Sequence, residues 1–278
     1  MNIRVIALDL DGTLLNSDKV ISPADYAALE RAAAMGVHIV PTTGRFYDAM
    51  PDVVRQLPFV RYAITVNGAQ VADLRTGEVI YRAELPWQQA VDIMTELDSH
   101  PVIYDCFMDN RAYMTADQRP FIDTMIASPH YRKMFRELRE PVPELKSFLS
   151  ERGHNVQKIQ FFTNQPQLRL ELMKKLPRQF DHLIISSSVG DNVEINQSRA
   201  NKGEALLALA AHLDVPRAAT AAFGDGLNDL TMLREAGVGV AMANACHEAL
   251  ALADRVTLSC DEDGVAHGIY AMCFGKNF

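Results

Sequence analysis

Cysteine is sparse in this 278-residue chain, and the little there is follows no pattern. Cys106, Cys246, Cys260 and Cys273 stand far apart with no CxxC spacing. That excludes a structural zinc site or a disulfide framework and leaves buried or incidental thiols, as expected in a reduced cytoplasm. Long apolar runs are missing too. The run Val5–Leu8 is cut by Asp9, too short for the hydrophobic part of a signal peptide. Nothing approaches the ~18 apolar residues of a membrane span, so no membrane partner is expected. Positive charge is scarce: 27 Lys and Arg against 35 Asp and Glu leave a net charge of −8. The densest basic cluster, Lys174-Lys175 with Arg178, is short, and a nucleic-acid surface is excluded. The eight histidines have no metal-ligand spacing, and there is no internal repeat or low-complexity tract.

What remains is 48% hydrophobic and only 22% charged, enough for a sizeable core. The length suggests two domains or one large α/β domain. Residues 1–83 alternate short buried-looking strands with helical patterns. Ile3–Leu8 reads as a strand, Ser22-Pro23 as a helix N-cap and first turn, and Ala24–Met35 as the helix, stopped by Gly36. Val37–Val40, a helix over Phe46–Leu57 and a strand at Tyr62–Val66 complete a βαβ rhythm with a parallel sheet. After residue 195 the rhythm resumes, with a helix at Glu204–Leu213, strands at Thr220–Phe223, Val238–Ala241 and Arg255–Leu258, and a helix around Leu230–Glu235. Between them lie a hairpin across Asp109-Asn110, further strands at Val156–Phe162, His182–Ser188 and Asn192–Asn196, and intervening helices, the pattern of an antiparallel α+β unit.

The polar residues fall where the buried strands stop. Asp9-Leu10-Asp11-Gly12-Thr13 follows the first strand, Thr42-Thr43-Gly44-Arg45 the second, and Gly224-Asp225-Gly226-Leu227-Asn228-Asp229 the strand after residue 220. Ligands of open parallel sheets bind beyond these strand ends. If the strands are neighbours, at least three carboxylates converge, and such a cluster calls for a hard cation; oxygen-only ligands favour Mg²⁺. Thr43-Gly44 before a helix offers backbone N–H groups to an anion. Lys202 opens a helix, where a cation is disfavoured unless an anion such as a phosphoryl oxygen awaits it. Singly, each of these segments reads as an ordinary turn or a solvated side chain. Together, in this order, they match phosphoryl transfer. EF-hand, P-loop, G-x-G-x-x-G and G-x-S-x-G spacings are all absent.

These segments resemble the haloacid dehalogenase superfamily, and most closely its Cof-type phosphatases with a large inserted cap. The resemblance runs from Asp9-x-Asp11-Gly12-Thr13 through Thr43-Gly44-Arg45, Asn67-Gly68-Ala69 and Lys202-Gly203 to Gly224-Asp225-Gly226-x-Asn228-Asp229 and Gly237–Ala245. It implies a Rossmann-like parallel-sheet core, residues 1–83 and 195–278, with an inserted α+β cap over residues 84–194. It also implies a Mg²⁺-dependent phosphatase for a small phosphorylated metabolite, such as a sugar phosphate or phosphorylated cofactor, working as a monomer or small homo-oligomer. Asp9 would be the nucleophile and Asp11 the acid and base. Mg²⁺ would sit on Asp9, the Asp11 carbonyl and Asp225, with Asp229 ligating directly or through water. Thr43, Lys202, the Asn228 amide and N–H groups near Leu10 and Gly44 would hold the phosphoryl oxygens. Thr13 would orient Asp11, and Arg45 would support the site.

The chain departs from its relatives at Pro41, Thr42 and Arg199-Ala200-Asn201, none of them a catalytic or metal position. In the cap, Asp105, Ser186–Ser188 and Glu194 are polar positions that could face the leaving group, though most are expected to be solvated strand residues. A phosphomutase would need a second phosphate-binding cluster there, and Arg111, Arg132, Lys133 and Lys158 are not grouped. A non-catalytic regulator is disfavoured because both Asp9 and Asp11 are present, and a dehalogenase because Asp11 and Asp225 would have no task.

Overall fold

In a computed structural model, residues 2–187 and 190–275 are described. Along the chain the strands are β1 (Val5–Leu8), β2 (His38–Pro41), β3 (Tyr62–Thr65), β4 (Gln70–Asp73) and β5 (Val79–Arg82), then β6 (Ile103–Met108), β7 (Arg111–Thr115), β8 (Arg139–Val142), β9 (Lys158–Phe162), β10 (Leu183–Ser186) and β11 (Asn192–Gln197). Three more follow, β12 (Thr220–Gly224), β13 (Val238–Ala241) and β14 (Arg255–Val256).

Contacts divide the chain into two compact units, one of Met1–Arg45, Met50–Arg82 and Asn201–Phe278, the other of Phe46–Ala49 and Ala83–Ala200. The first unit holds a five-stranded sheet in the order β14-β13-β12-β1-β2, parallel throughout. All four residues of β1 are fully buried, as a central strand covered on both faces requires. Each such Val, Ile or Leu is worth about 1.5–3 kcal/mol of burial. Leu206 and Leu209 of the helix Lys202–His212 pack with Val5, Ala7 and Val40 on one face. The helix Pro23–Ala34 is launched by Ser22, whose Oγ accepts the Asp25 N–H at 3.0 Å, with Pro23 in the first turn. It packs against the helix Gly264–Phe274.

The expected third parallel strand is different. β3 pairs antiparallel with β4, and β4 with β5, in a separate three-stranded sheet. Beside β2, β3 does run parallel, as expected, but through one isolated bridge among the described residues, Thr42 with Ile64. The expected helix over Phe46–Leu57 is also broken, into a 3₁₀ turn at Tyr47–Ala49 and a short helix, Asp52–Arg55. Pro51 explains the break: it has no N–H to continue the first piece and sits instead as the N-cap of the second.

The second unit holds a six-stranded mixed sheet, β10-β11-β9-β6-β7-β8. Among its described strands only β7 and β8 pair parallel. The β6–β7 hairpin turns at Asp109 and Asn110, with φ 51° and 61°, the mirror-image turn those residues tolerate. Tyr104, Cys106 and Met108 join the core beneath the helices Trp87–Leu97, Leu145–Arg152 and Pro166–Gln179. The unit boundary falls at 200/201 rather than 194/195, because β11 continues to Gln197, which pairs with Leu183. Phe46–Ala49 also joins this unit: the Phe46 ring sits 5.3 Å from that of Phe107, and the Tyr47 N–H donates to Asn110 Oδ1 at 3.0 Å. Among the described residues no helix is long and apolar enough to cross a membrane.

Candidate active site

β1 lies between β12 and β2, so the segments after these three strands emerge side by side at one sheet edge. The Asp9 N–H donates to the Phe223 carbonyl at 3.0 Å and the Thr42 N–H to the Leu8 carbonyl at 2.7 Å, extending the ladders into the loops. The strand geometry therefore delivers Asp9, Asp225 and Thr43 to a common edge.

Asp9, Asp225 and Asp229 each present a carboxylate oxygen within 4.8 Å of the others. Lys202 lies among them, fully buried, with Nζ 2.5 Å from Asp9 Oδ1 and 2.5 Å from Asp229 Oδ1. Asp229 Oδ2 accepts the backbone N–H groups of Asp225 (3.0 Å) and Gly226 (2.8 Å), closing its own loop. Burial pushes Asp9 up to about 8, with the charges of Asp229 and Asp225 adding to it and Lys202 opposing. Asp225 is pushed up to about 6 by burial and by Asp229, against the hydrogen bond from Thr13. Burial works against the Lys202 charge, yet Asp229 and Asp9 hold its pKa above the ordinary lysine value. With all three carboxylates ionised, one ammonium does not neutralise them, and all the donors are hard oxygens; the cluster fits a divalent cation of the Mg²⁺ type, which would favour the ionised Asp9 that burial opposes.

Asp11 stands outside this cluster. Arg45 grips its carboxylate with a two-pronged fork, Nε to Oδ2 at 3.0 Å and Nη2 to Oδ2 at 2.8 Å, and Lys19 Nζ reaches Oδ1 at 3.0 Å. Burial raises the Asp11 pKa, but Arg45 and Lys19 outweigh it and hold the group below the usual carboxylate range. The Thr13 hydroxyl donates to Asp225 Oδ1 at 3.0 Å, not to Asp11 as expected. The tight turn explains it: Thr13 N–H returns to the Leu10 carbonyl, so its side chain points across to the β12 loop.

The phosphate-binding candidates gather on the same edge. Leu10 follows Asp9 and is fully buried, its carbonyl accepting the Leu15 N–H at 2.8 Å. Thr43 is buried; its Oγ1 accepts the Arg45 N–H at 3.2 Å, and its own N–H donates to the Ile64 carbonyl at 2.9 Å. Gly44 faces the Asn67 side chain, to which Asn228 Nδ2 donates at 3.4 Å.

Sequence reasoning gave no role to Lys19, Asn67 or Asn244. Asn244 donates from Nδ2 to the Gly12 carbonyl at 2.8 Å and accepts the Cys260 N–H at 2.9 Å, pinning the first loop to the last. Only the presence of Asn67 and Asn244 in the family pattern pointed to them.

The polar residues singled out in the second unit are not solvated strand positions. Asp105 is fully buried and bound by Arg139 at 2.7 Å; Glu194 is buried and bound by Lys158 at 3.0 Å. They alternate away from the helix-covered face, and burial without water demands ionic partners. The Ser186 and Ser187 hydroxyls donate to Glu194 Oε2 (3.4 Å) and to the Asn192 carbonyl (3.0 Å); Ser188 lies outside the described residues.

Comparison with known proteins identifies the family. A profile of haloacid dehalogenase-like hydrolases matches residues 6–269. Phosphatase YwpJ of Bacillus subtilis is 32% identical, the match covering 95% of this chain and 98% of that protein. HMP-PP phosphatase of Cronobacter sakazakii is 30% identical over 95% of this chain and 93% of its own. Among solved structures, a haloacid dehalogenase-like hydrolase from B. subtilis superposes with a TM-score of 0.83 at 31% identity, covering 97% of this chain and 100% of that one. The chain belongs to the haloacid dehalogenase-like hydrolases, as a phosphatase of their Cof-type branch.

Proposed function

We propose that the protein is a Mg²⁺-dependent phosphatase of the cytoplasm that hydrolyses a small phosphate monoester through a phosphorylated Asp9. The observation that carries this reading is the triangle of Asp9, Asp225 and Asp229 around a buried Lys202 at the ends of adjacent parallel strands. Asp9, the Asp11 carbonyl and Asp225 would hold Mg²⁺, with Asp229 as direct or supporting ligand. Bound there, the ion supplies charge neutralisation for the phosphoryl oxygens.

Asp9 Oδ attacks phosphorus, and the ester oxygen leaves with a proton from Asp11. Asp11 then takes a proton from the water that cleaves the acyl phosphate. Its lowered pKa suits this second half; for the first, the Arg45 fork has to release the carboxylate so that it can carry a proton. Thr43, Lys202, Asn228 and the N–H groups of Leu10 and Gly44 bind the phosphoryl oxygens. Each such donor is typically worth ~3 kcal/mol of barrier.

The substrate is a small phosphorylated metabolite, a sugar phosphate or phosphorylated cofactor. Relatives named 5-amino-6-(5-phospho-D-ribitylamino)uracil phosphatase and HMP-PP phosphatase support that class. Transfer to a second hydroxyl, as in a phosphomutase, is disfavoured. The cations that would hold a second phosphate are engaged: Arg111 with Glu140, Lys133 with Glu137, Lys158 with Glu194, and Arg132 with the Ile126 carbonyl. The test is phosphate release from a metabolite panel with and without Mg²⁺. Release that requires Mg²⁺ is expected. No release from any ester, or isomerised sugar phosphate without free phosphate, would contradict the reading.

A further inference from the structure

The turn Val66–Gly68 is strained. Val66 is β-branched, fully buried and held at φ 51°, and Asn67 follows at φ 57°. Two successive L-residues in the left-handed region are unfavourable, and a β-branched one is an outlier. Such strain persists where the surroundings impose it, and functional sites are where it concentrates. Here the backbone imposes it. The Val66 N–H donates to the Arg45 carbonyl at 3.0 Å and the Asn67 N–H to the Thr43 carbonyl at 3.0 Å.

The strained turn places one side chain. Asn67 is buried, and its Oδ1 accepts Asn228 Nδ2 at 3.4 Å. A Cβ built on Gly44 would lie 2.7 Å from that same oxygen, so the Asn67 amide occupies the space a larger residue at 44 would need. The next residue, Gly68 at φ +97°, comes so close to the start of the Lys202 helix that a Cβ there would lie 2.3 Å from the Asn201 carbonyl oxygen. A single turn thus touches the Gly44 loop, the Asn228 amide and the segment leading into Lys202.

We propose that Asn67 is a positioning residue of the phosphoryl pocket: its side-chain amide orients Asn228 and seats the Gly44 loop, and the strained turn serves to hold it there. This rests on the assignment of phosphoryl binding to Gly44, Asn228 and Lys202. A merely structural Asn67 would support folding. A positioning Asn67 acts on phosphate affinity, and acts through Asn228.

The variant Asn67→Gly separates the two roles, since glycine adopts φ 57° freely and only the side chain is lost. Steady-state kinetics on an ester the wild type hydrolyses, inhibition by inorganic phosphate and thermal unfolding are compared for wild type, Asn67→Gly, Asn228→Ala and the double variant. Asn67→Gly is expected to lose about ten-fold in kcat/KM and in phosphate inhibition, with little change in unfolding midpoint. The double variant should be no worse than Asn228→Ala by more than about two-fold, the signature of coupled residues. Gly44→Ala, sterically blocked in the wild type, should cost less when Asn67→Gly has removed the obstructing oxygen. Unchanged phosphate inhibition in Asn67→Gly, losses that multiply fully in the double variant, or a loss that tracks a fallen unfolding midpoint would overturn the proposal. A wild type inactive on every ester would instead overturn the phosphatase reading. Calorimetric titration of inorganic phosphate into wild type and Asn67→Gly then decides on Asn67 alone, equal affinities overturning it.

Discussion

The Lys202 ammonium lies 2.5 Å from the Asp9 carboxylate, and both side chains are withdrawn from solvent. Asp229 shares the same ammonium. The lysine is thus counterion to the acidic cluster as well as a candidate phosphate ligand, and the two roles are separable by experiment.

Removing that counterion leaves buried carboxylates uncompensated. Breaking a buried pair from one side typically costs ~3–5 kcal/mol. Lys202→Met should therefore lower stability by about that much without Mg²⁺, and saturating Mg²⁺ should recover part of it, since a cation that binds only the folded state stabilises it. Chemical denaturation with and without the ion measures both. Equal stability of variant and wild type without Mg²⁺ would argue against the counterion role. Activity should fall by at least about a hundred-fold, as for loss of an oxyanion donor.

Thr13 hydrogen-bonds Asp225, so its loss should be felt by the metal site rather than by Asp11. Outer-shell partners of metal ligands typically contribute ~10–100-fold in metal affinity or activity. Thr13→Val should raise the Mg²⁺ concentration for half-maximal activity by about ten-fold, with the ester KM nearly unchanged at saturating Mg²⁺. A Mg²⁺ titration that overlays the wild type would favour instead the Thr13–Asp11 contact expected from the sequence.

Asp25, in the first turn of the helix Pro23–Ala34, supplies a pH dependence of stability. It is buried beneath the C-terminal helix, where its Oδ1 accepts the Ala266 N–H at 2.7 Å, and burial pushes it up to about 6. The unfolded chain loses this proton near pH 4 and the folded chain near pH 6, so between them the folded state holds the extra proton. Stability from this group therefore falls as pH rises from about 4 to about 6 and is level above. The shift corresponds to about 3 kcal/mol. In the variant Asp25→Asn, which does not titrate at this position, the difference in unfolding free energy between pH 4 and pH 7 should change by about that amount, in the direction of greater relative stability at pH 7. An unchanged difference would mean that Asp25 titrates alike in both states.

Local signals in the sequence translated well. Ser22-Pro23 launches its helix, the Asp109-Asn110 pair turns its hairpin, and the loops after β1, β2 and β12 converge as their strand-end positions suggest. What was not legible depends on partners distant in the chain. Tyr62–Thr65 carries the apolar run of a parallel core strand, yet pairs antiparallel with Gln70–Asp73, because a turn at Val66–Gly68 folds the chain straight back. Thr13 could have served either carboxylate; the geometry that selects Asp225 lies 212 residues away. Asp105 and Glu194 read as solvated because nothing local reveals Arg139 and Lys158 as their buried partners.

Asp9 as nucleophile is the assignment on which the proposed mechanism depends, and Asp9→Asn tests it most directly. The amide keeps the shape of the side chain and removes its capacity to form an acyl phosphate. With Mg²⁺ and a hydrolysable ester, kcat should fall by at least about a thousand-fold while the variant remains folded. Phosphate release at the wild-type rate would contradict the mechanism.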